Sequence, residues 1–298
     1  MIFAARPSMR CCVIFNPTAK GDKARRFRAQ LDAIARQAVL KLTQTAGDAA
    51  RLAREAVEEG YDLVVAAGGD GTVNEVLNGL ARAPDGFARA ALGVLPLGTV
   101  NVFARELGLP RRLAENWAVL QRGRLRAVDV VEIEAGGARS CFCQLAGAGL
   151  DARAIERVNW PLKKRIGPLA YVWAGLGALA ETKPELTVRA NGAELRGELI
   201  LIGNGRRYGG DFQLFPTAQL DDGVVDVCVF PRASGFTLLR CAVPLLLRGR
   251  LPEAAVRRLR AAAFTIAGAS AFEVDGELAG RLPAALQVAP RRLRVVVP

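Results

Sequence analysis

The sequence predicts an open parallel α/β sheet domain followed by a β-sandwich-like domain, and three observations carry that reading. Short, fully apolar runs alternate with helical periodicity through the first 126 residues. Beyond Arg126 the apolar runs crowd together, and several alternate with polar side chains, as in Asp226-Val227-Cys228-Val229-Phe230. No long linker or internal repeat separates the halves. The expected domains are residues 1–126 and 127–298, packed across a cleft that holds the active site, with the last strand free to pack back on the first domain. A chain of 298 residues is long enough to bury a core in each.

The elements follow in order. Residues 12–15 read as a strand closed by Asn16-Pro17, and residues 24–39 as a helix with Phe27, Leu31, Ile34 and Ala38 on one face. A second helix is expected over 48–59, with Asp48 at its cap. Residues 63–67 form a short uninterrupted apolar run, the signature of a strand buried on both faces of a parallel sheet. A helix over 74–83 and a buried strand over 91–95 complete the pattern. In the second half, strands are expected over 128–134, 139–145, 186–190, 198–202, 224–230, 263–267, 271–274 and 293–297. Helical insertions are expected around 153–180 and 237–247.

Composition narrows the function. Hydrophobic residues make up 51% and charged residues 23%, which fits a folded globular chain. The longest apolar run, residues 169–180, is shorter than the roughly 20 residues a membrane-spanning helix needs. No apolar signal segment follows Arg6, so a cytoplasmic protein is expected. The net charge of +12 invites an acidic partner, although only six of the 41 basic residues are lysines and the arginine excess also reads as a compositional habit. Arg111-Arg112, Lys163-Lys164-Arg165, Arg206-Arg207 and Arg257-Arg258 lack aromatic interleaving. Contact with anionic lipid or phosphate and plain solubility weigh equally, and nucleic acid is not expected.

The six cysteines include no C-x-x-C, and histidine is absent. Zinc sites of common spacing and Ser-His-Asp or Cys-His chemistry are therefore excluded. Reduced, structural thiols are expected, with Cys141 and Cys143 on one strand face. A general base must come from Asp, Glu, Lys, Cys or Tyr.

Three polar turns end three expected parallel strands: Asn16-Pro17-Thr18-Ala19-Lys20-Gly21, Gly68-Gly69-Asp70-Gly71-Thr72 and Pro96-Leu97-Gly98-Thr99-Val100-Asn101. Glycines let the backbone approach closely, and successive N–H groups at a helix start can cradle an anion. Asp70 would repel a bare phosphate, but a Mg²⁺ between them makes the contact attractive. Neither G-x-x-x-x-G-K-S/T nor G-x-G-x-x-G occurs here. A plain strand-to-helix turn with Thr72 as cap is the competing reading of GGDGT. Convergence of three such turns favours a shared nucleotide site.

Asn16-Pro17, GGDGTVNEV and LPLGTVNVFAR (residues 95–105) together resemble the diacylglycerol kinase catalytic-domain family, which includes bacterial lipid kinases, sphingosine kinases and ceramide kinases. Residues 215–226, FPTAQLDDGVVD, resemble the family's P-x-A-x-x-x-D-G-x-x-D segment, and FEVDGE (272–277) its late D-G-E motif. The resemblance implies two domains, with ATP bound between them and a lipid hydroxyl entering from the β-rich side. It implies nucleotide contacts at Asn16, Pro17, Thr18, Ala19, Lys20, Thr43, Gly69, Asp70, Gly71, Thr72, Val73, Asn74, Glu75 and Thr99. It implies a structural Mg²⁺ held by Asp222 and the carbonyls of Gln219 and Val224, where the residues alone favour a hairpin turn. Two positions depart from the family: Val102 stands where many bacterial members carry aspartate, and glycine more commonly precedes the basic residue of the first turn.

Phosphoryl transfer to an alcohol needs in-line positioning, Mg²⁺ across the phosphates and a carboxylate near the hydroxyl. Without histidine, Asp275 or Glu277 is the natural base, and the resemblance points to the same motif. Glu277 is the expected proton acceptor and Asp275 its close partner; Asp-Gly-Glu also suits a β-turn. The expected activity is an ATP- and Mg²⁺-dependent lipid kinase, peripheral at the anionic inner face of the membrane. Arginine clusters and residues 168–180 are candidates for docking. An NAD kinase-type enzyme and a catalytically silent nucleotide- or lipid-binding regulator are the alternatives. Substrate identity and oligomeric state are not legible.

Overall fold

The computed structural model describes residues 9–17, 27, 34, 36–122, 124–150, 152, 184–248 and 251–298. The chain divides into two compact units, Met1–Val128 with Arg291–Pro298, and Asp129–Pro290. The last strand thus belongs to the first unit.

The first unit is built on β1 (Cys11–Phe15), β2 (Val39–Leu42), β3 (Leu63–Gly68), β4 (Ala91–Pro96), β5 (Arg124–Val128) and the final strand β20 (Leu293–Val297). They form one sheet in the order β2-β1-β3-β4-β20-β5. All neighbours are parallel except β20 and β5. β3 and β4 are buried along their whole length, as their uninterrupted apolar runs require. Helices α1 (Asp48–Glu58), α2 (Asp70–Arg82), α3 (Gly86–Arg89), α4 (Val102–Glu106) and α5 (Leu113–Arg122) accompany the sheet. The register aligns the carboxyl ends, with Phe15 beside both Leu42 and Ala67, and Ala67 beside Leu95. Ligand sites of open α/β sheets lie at this edge.

The second unit holds β6 (Val131–Ala135), β7 (Ala138–Phe142), β8 (Leu145–Gly149), β9 (Leu186–Ala190), β10 (Ala193–Gly197) and β11 (Leu199–Gly203). A short hairpin, β12 (Arg207–Tyr208) and β13 (Phe212–Gln213), precedes β14 (Val225–Phe230), helix α6 (Gly235–Arg248) and β15 (Arg257–Ala261). Strands β16 (Ala263–Ala267), β17 (Ala271–Val274), β18 (Glu277–Arg281) and β19 (Ala284–Val288) follow. Two antiparallel sheets result, β10-β9-β16-β19-β6-β7 and β15-β14-β11-β8-β17-β18. Val131, Ile133 and Phe142 of one sheet share a core with Ile200, Val227 and Phe272 of the other. Fully burying each such side chain is worth about 1.5–3 kcal/mol. The opposite face of β11 and β14 is also covered: Leu201, Cys228 and Phe230 pack with Leu214, Phe215 and Cys241.

Several elements differ from the sequence reading. The strand expected over 128–134 is two strands in different units, broken at Asp129-Val130. Asp129 cannot continue a ladder, because its N–H donates to Leu220 O (2.6 Å) and its carboxylate accepts from Gly223 N–H (2.6 Å). The strand expected over 139–145 breaks at Cys143-Gln144, whose carbonyls accept from the Asn204 side chain and from the Asn204 and Gly205 backbone. Val39, expected to end a helix, begins a strand paired with β1. Most of that helix, and the insertion expected over 153–180, lie outside the described residues.

All six thiols are free. Burial pushes Cys11 up to about 12, Cys12 to about 11 and Cys228 to about 12, which makes them poor nucleophiles. Among the described residues, no helix is long and apolar enough to cross a membrane.

Candidate active site

The carboxyl ends of β1, β3 and β4 bring Asn16, Gly68-Gly69 and Gly98 together at one edge of the first sheet. Asn16 N–H donates to Ala67 O (3.0 Å), and its side-chain amide donates to Thr72 Oγ1 (3.3 Å). Thr43, at the end of β2, donates its N–H to Phe15 O (3.0 Å) and is buried. The second and third turns touch through their backbones. Leu97 and Gly98 N–H both donate to Gly68 O (2.9 and 3.2 Å), and a Cβ on Gly98 would lie 2.5 Å from Gly69 Cα. Only glycine fits at Gly98. Asn101 then folds back on that peptide, accepting from Gly98 N–H (3.0 Å) and donating to Gly98 O (2.6 Å). Thr99 is exposed beside it; Pro17 is described, whereas Thr18, Ala19 and Lys20 lie outside the described residues.

GGDGT is more than a turn. Helix α2 begins at Asp70, four residues before its expected start, because Val73 N–H already donates to Gly69 O (3.1 Å). Gly71, Thr72, Val73, Asn74 and Glu75 are therefore all helical. The Asp70 carboxylate accepts from Phe103 N–H (3.4 Å), at the start of α4. Burial raises the Asp70 carboxyl above its ordinary range, and the N–H groups of Phe103, Val102 and Asn101 offset part of that rise. Glu75 reaches away along α2, and its Oε2 accepts from Ala49 N–H (3.0 Å) in the first turn of α1. Asp48 does not cap α1 by itself: the N-cap is Gly47. The Thr45 and Gln44 N–H groups instead hold the Asp48 carboxyl below its usual range.

In the second unit the D-G-E motif is a two-residue hairpin between β17 and β18. Asp275 and Gly276 both have positive φ (48° and 85°), as a type I′ turn requires, and Val274 faces Glu277 across it. Asp275 is tied to β8 in both directions: its N–H donates to Leu145 O (3.0 Å), and its Oδ1 accepts from Leu145 N–H (3.1 Å). The buried Glu273 accepts from Gly276 N–H (2.9 Å) on the other side. Glu277 is exposed at the start of β18. The turn reading and the catalytic reading of this motif are thus compatible: Asp275 and Gly276 shape the turn and Glu277 leaves it.

The D-D-G loop leads into β14 of the same sheet. Asp222 Oδ1 accepts from Val224 N–H (3.2 Å), and Oδ2 is bound by Arg260 Nη2. Arg260 Nε also reaches Asp226 Oδ2 (3.2 Å), whose other oxygen accepts from Thr217 Oγ1 (3.2 Å). Burial lowers the Arg260 guanidinium and the two aspartates raise it, with a net rise. The ligand set expected for a structural magnesium, Asp222 with the Gln219 and Val224 carbonyls, does not fit a divalent ion as these side chains stand. A cation already holds the carboxylate. Asp70 is different: magnesium is commonly held by one or two carboxylates together with phosphates and water, and Asp70 can supply such a carboxylate.

Sequence reasoning missed Asp129, Asn204 and Arg260, which hold this loop and the strand end beside it. Asn204 is fully buried and donates to Asp129 O (3.0 Å) and Cys143 O (2.9 Å). The only available signal was a charged residue inside the apolar run Val128-Asp129-Val130-Val131.

Comparison with known proteins agrees with the fold of the two units. Residues 10–133 match the diacylglycerol kinase catalytic domain, and residues 144–297 match the YegS C-terminal NAD kinase beta sandwich-like domain. A diacylglycerol kinase of Bacillus subtilis is 31% identical over 299 residues, covering 97% of this chain and 96% of that protein. The chain belongs to the diacylglycerol kinase catalytic-domain family. The kinase is also 37% identical over 204 residues to the "Probable lipid kinase YegS-like" of Stenotrophomonas maltophilia, which covers 67% of this chain and 66% of that one. Its fold is that of a diacylglycerol kinase crystal structure from Bacillus anthracis, with TM-score 0.77, 24% identity and 99% of each chain covered. It is an enzyme that phosphorylates an alcohol group.

Proposed function

We propose that this kinase transfers the γ-phosphoryl group of ATP, with Mg²⁺, to a hydroxyl of a diacylglycerol-like or sphingoid lipid at the inner face of the membrane. The observation that carries the reading is the paired apposition of Gly68-Gly69 and Gly98 at the carboxyl edge of a parallel sheet, next to a half-buried Asp70. Such an edge presents backbone donors to phosphates at close range. Magnesium, when bound, neutralises phosphate charge there. Asn16, Thr43 and Thr72 shape the same edge, and the carboxylate of Asp70, at the first residue of α2, accepts from the start of α4 beside it. Glu277 accepts the proton of the attacking hydroxyl as the new O–P bond forms and ADP leaves with the bond to its β-phosphate oxygen broken. Asp275 positions that carboxylate by fixing the hairpin to β8.

A membrane-surface substrate accords with helix α6. Phe236 and Leu239, three residues apart, are 74% and 64% exposed, with exposed Arg232 and Arg240 beside them. Residues 231–248 contain no acidic side chain. An apolar face flanked by cations suits an anionic interface.

The test is phosphorylation of a lipid extract in vesicles with γ-labelled ATP, resolving the products, with NAD as a parallel acceptor. A labelled lipid that disappears on removal of Mg²⁺ is expected. Glu277→Gln should lower turnover by at least about 10²-fold with an unchanged circular dichroism spectrum. Labelled NADP instead of lipid, or full turnover by Glu277→Gln, overturns the assignment.

A further inference from the structure

The register of β14 against β15 sets Asp226 opposite Arg260. A cross-strand pair of opposite charge is favourable there, and Asp226 is buried while Arg260 keeps contact with solvent. From that position the guanidinium reaches past Asp226 to Asp222, in the loop that precedes β14. One planar group therefore bridges a carboxylate on the strand and one on the loop, which a fork of fixed donors does well.

The rest of the loop is held in the same way. Arg206 Nε donates to Ala218 O (3.1 Å), and Arg258 donates from both Nη atoms to Leu214 O (3.3 and 3.2 Å). Asp129 takes Gly223 N–H (2.6 Å), and Thr217 orients Asp226. Arg206 and two arginines of β15, Arg258 and Arg260, thus meet loop oxygens between Leu214 and Asp226. A divalent ion at Asp222 would have to displace Arg260 or sit against its positive charge.

We propose that Arg260 takes the place of a structural magnesium in this chain, so that the 214–226 loop is closed by the protein's own cation. The loop folds without a divalent ion, and the metal requirement of the enzyme is confined to the phosphates of the nucleotide. The inference uses the kinase reading only to name the position where family resemblance puts an ion. Its test needs no turnover.

The experiment follows the melting temperature of the full chain without nucleotide, in EDTA and in 5 mM Mg²⁺ or Mn²⁺. A parallel titration counts bound Mn²⁺ by the loss of its free-ion EPR signal. The wild type should melt within about 1 °C in all conditions and bind no Mn²⁺ with sub-millimolar affinity. Arg260→Met frees two carboxylates. It should melt lower in EDTA, regain about 5 °C or more with the metal, and bind one additional Mn²⁺. Arg260→Lys keeps a positive charge and should stay metal-independent. A wild type that binds one Mn²⁺ tightly, or is stabilised by several degrees, overturns the proposal, and that arm decides even if Arg260→Met aggregates. Failure of the lipid assay with these outcomes intact would remove the substrate reading and leave the loop assignment standing.

Discussion

Two helix starts of the first unit are held by carboxylates, whereas three arginines, together with Asp129, hold the 214–226 loop of the second. In the first unit, carboxylates collect backbone donors: Asp70 accepts from Phe103 N–H, and Glu75 from Ala49 N–H. In the second, guanidinium groups collect backbone acceptors: Arg206 at Ala218 O and Arg258 at Leu214 O. The difference follows from what each region leaves exposed. Helix starts carry unsatisfied N–H groups and a positive dipole end, so acids suit them. The 214–226 loop offers the Leu214 and Ala218 carbonyls and the Asp222 and Asp226 carboxylates, which guanidinium donors suit. The acids also differ in what they leave free for chemistry: Asp70, the proposed magnesium ligand, is held by backbone N–H groups, whereas Asp222 is neutralised by Arg260.

The sharpest way to break the comparison is at the backbone contact on which the first unit depends. Gly98→Ala would drive a Cβ to 2.5 Å from Gly69 Cα and 2.8 Å from Asn101 Oδ1. Overpacking of this kind costs about 1–3 kcal/mol. Because both turns move, turnover should fall by about 10²-fold or more, with a higher KM for ATP. A melting curve and ATP kinetics on one preparation check both parts. Near-wild-type kinetics would mean that the turn contact does not shape the nucleotide site.

Asp70→Asn comes next, because it separates the two uses of that acid. The amide still accepts from Phe103 N–H but cannot hold magnesium as a carboxylate does. Turnover should fall by about 10²-fold. Stability should move the other way. Burial raises the folded-state carboxyl above its unfolded value of about 3.9. The wild type is therefore fully stable, with respect to this group, below the unfolded value. It loses that contribution as pH rises through the folded value. Asp70→Asn should consequently match the wild type in acid and exceed it at neutral pH. Denaturant melts at pH 4 and pH 7.5 measure the difference.

What was legible in the sequence follows how local each signal is. β3 and β4 were readable because 63–68 and 91–96 are unbroken apolar runs. The start of α2 was misplaced because glycines conventionally read as turn, whereas Gly69 supplies a helix cap and the next residues are already helical. β10 was missed although Asn191-Gly192 is a hairpin signal. Its exposed side chains (Ala193, Glu194, Arg196) hide the strand. β18 is nearly all exposed and gives no apolar pattern. The roles of Arg260 and Glu75 depend on pairing across 34–38 and 26 residues respectively, which no local pattern encodes.

The smallest expected effect lies with Glu75, where resemblance implied nucleotide contact and the structure supplies a helix cap. Its Oε2 sits 3.0 Å from Ala49 N, and the bond crosses from α2 to the first turn of α1. A carboxylate there satisfies one orphan donor and meets the positive end of the helix dipole. Glu75→Ala should remove about 1 kcal/mol of stability, seen as a fall of about 3 °C in the melting temperature. The cap lies a full helical turn beyond Asp70, so KM for ATP should stay within about twofold. Glu75→Gln, which keeps an acceptor without the charge, should lose about half as much stability. A large rise in KM with unchanged melting would reverse the assignment. It would make Glu75 a nucleotide ligand whose bond to Ala49 is incidental.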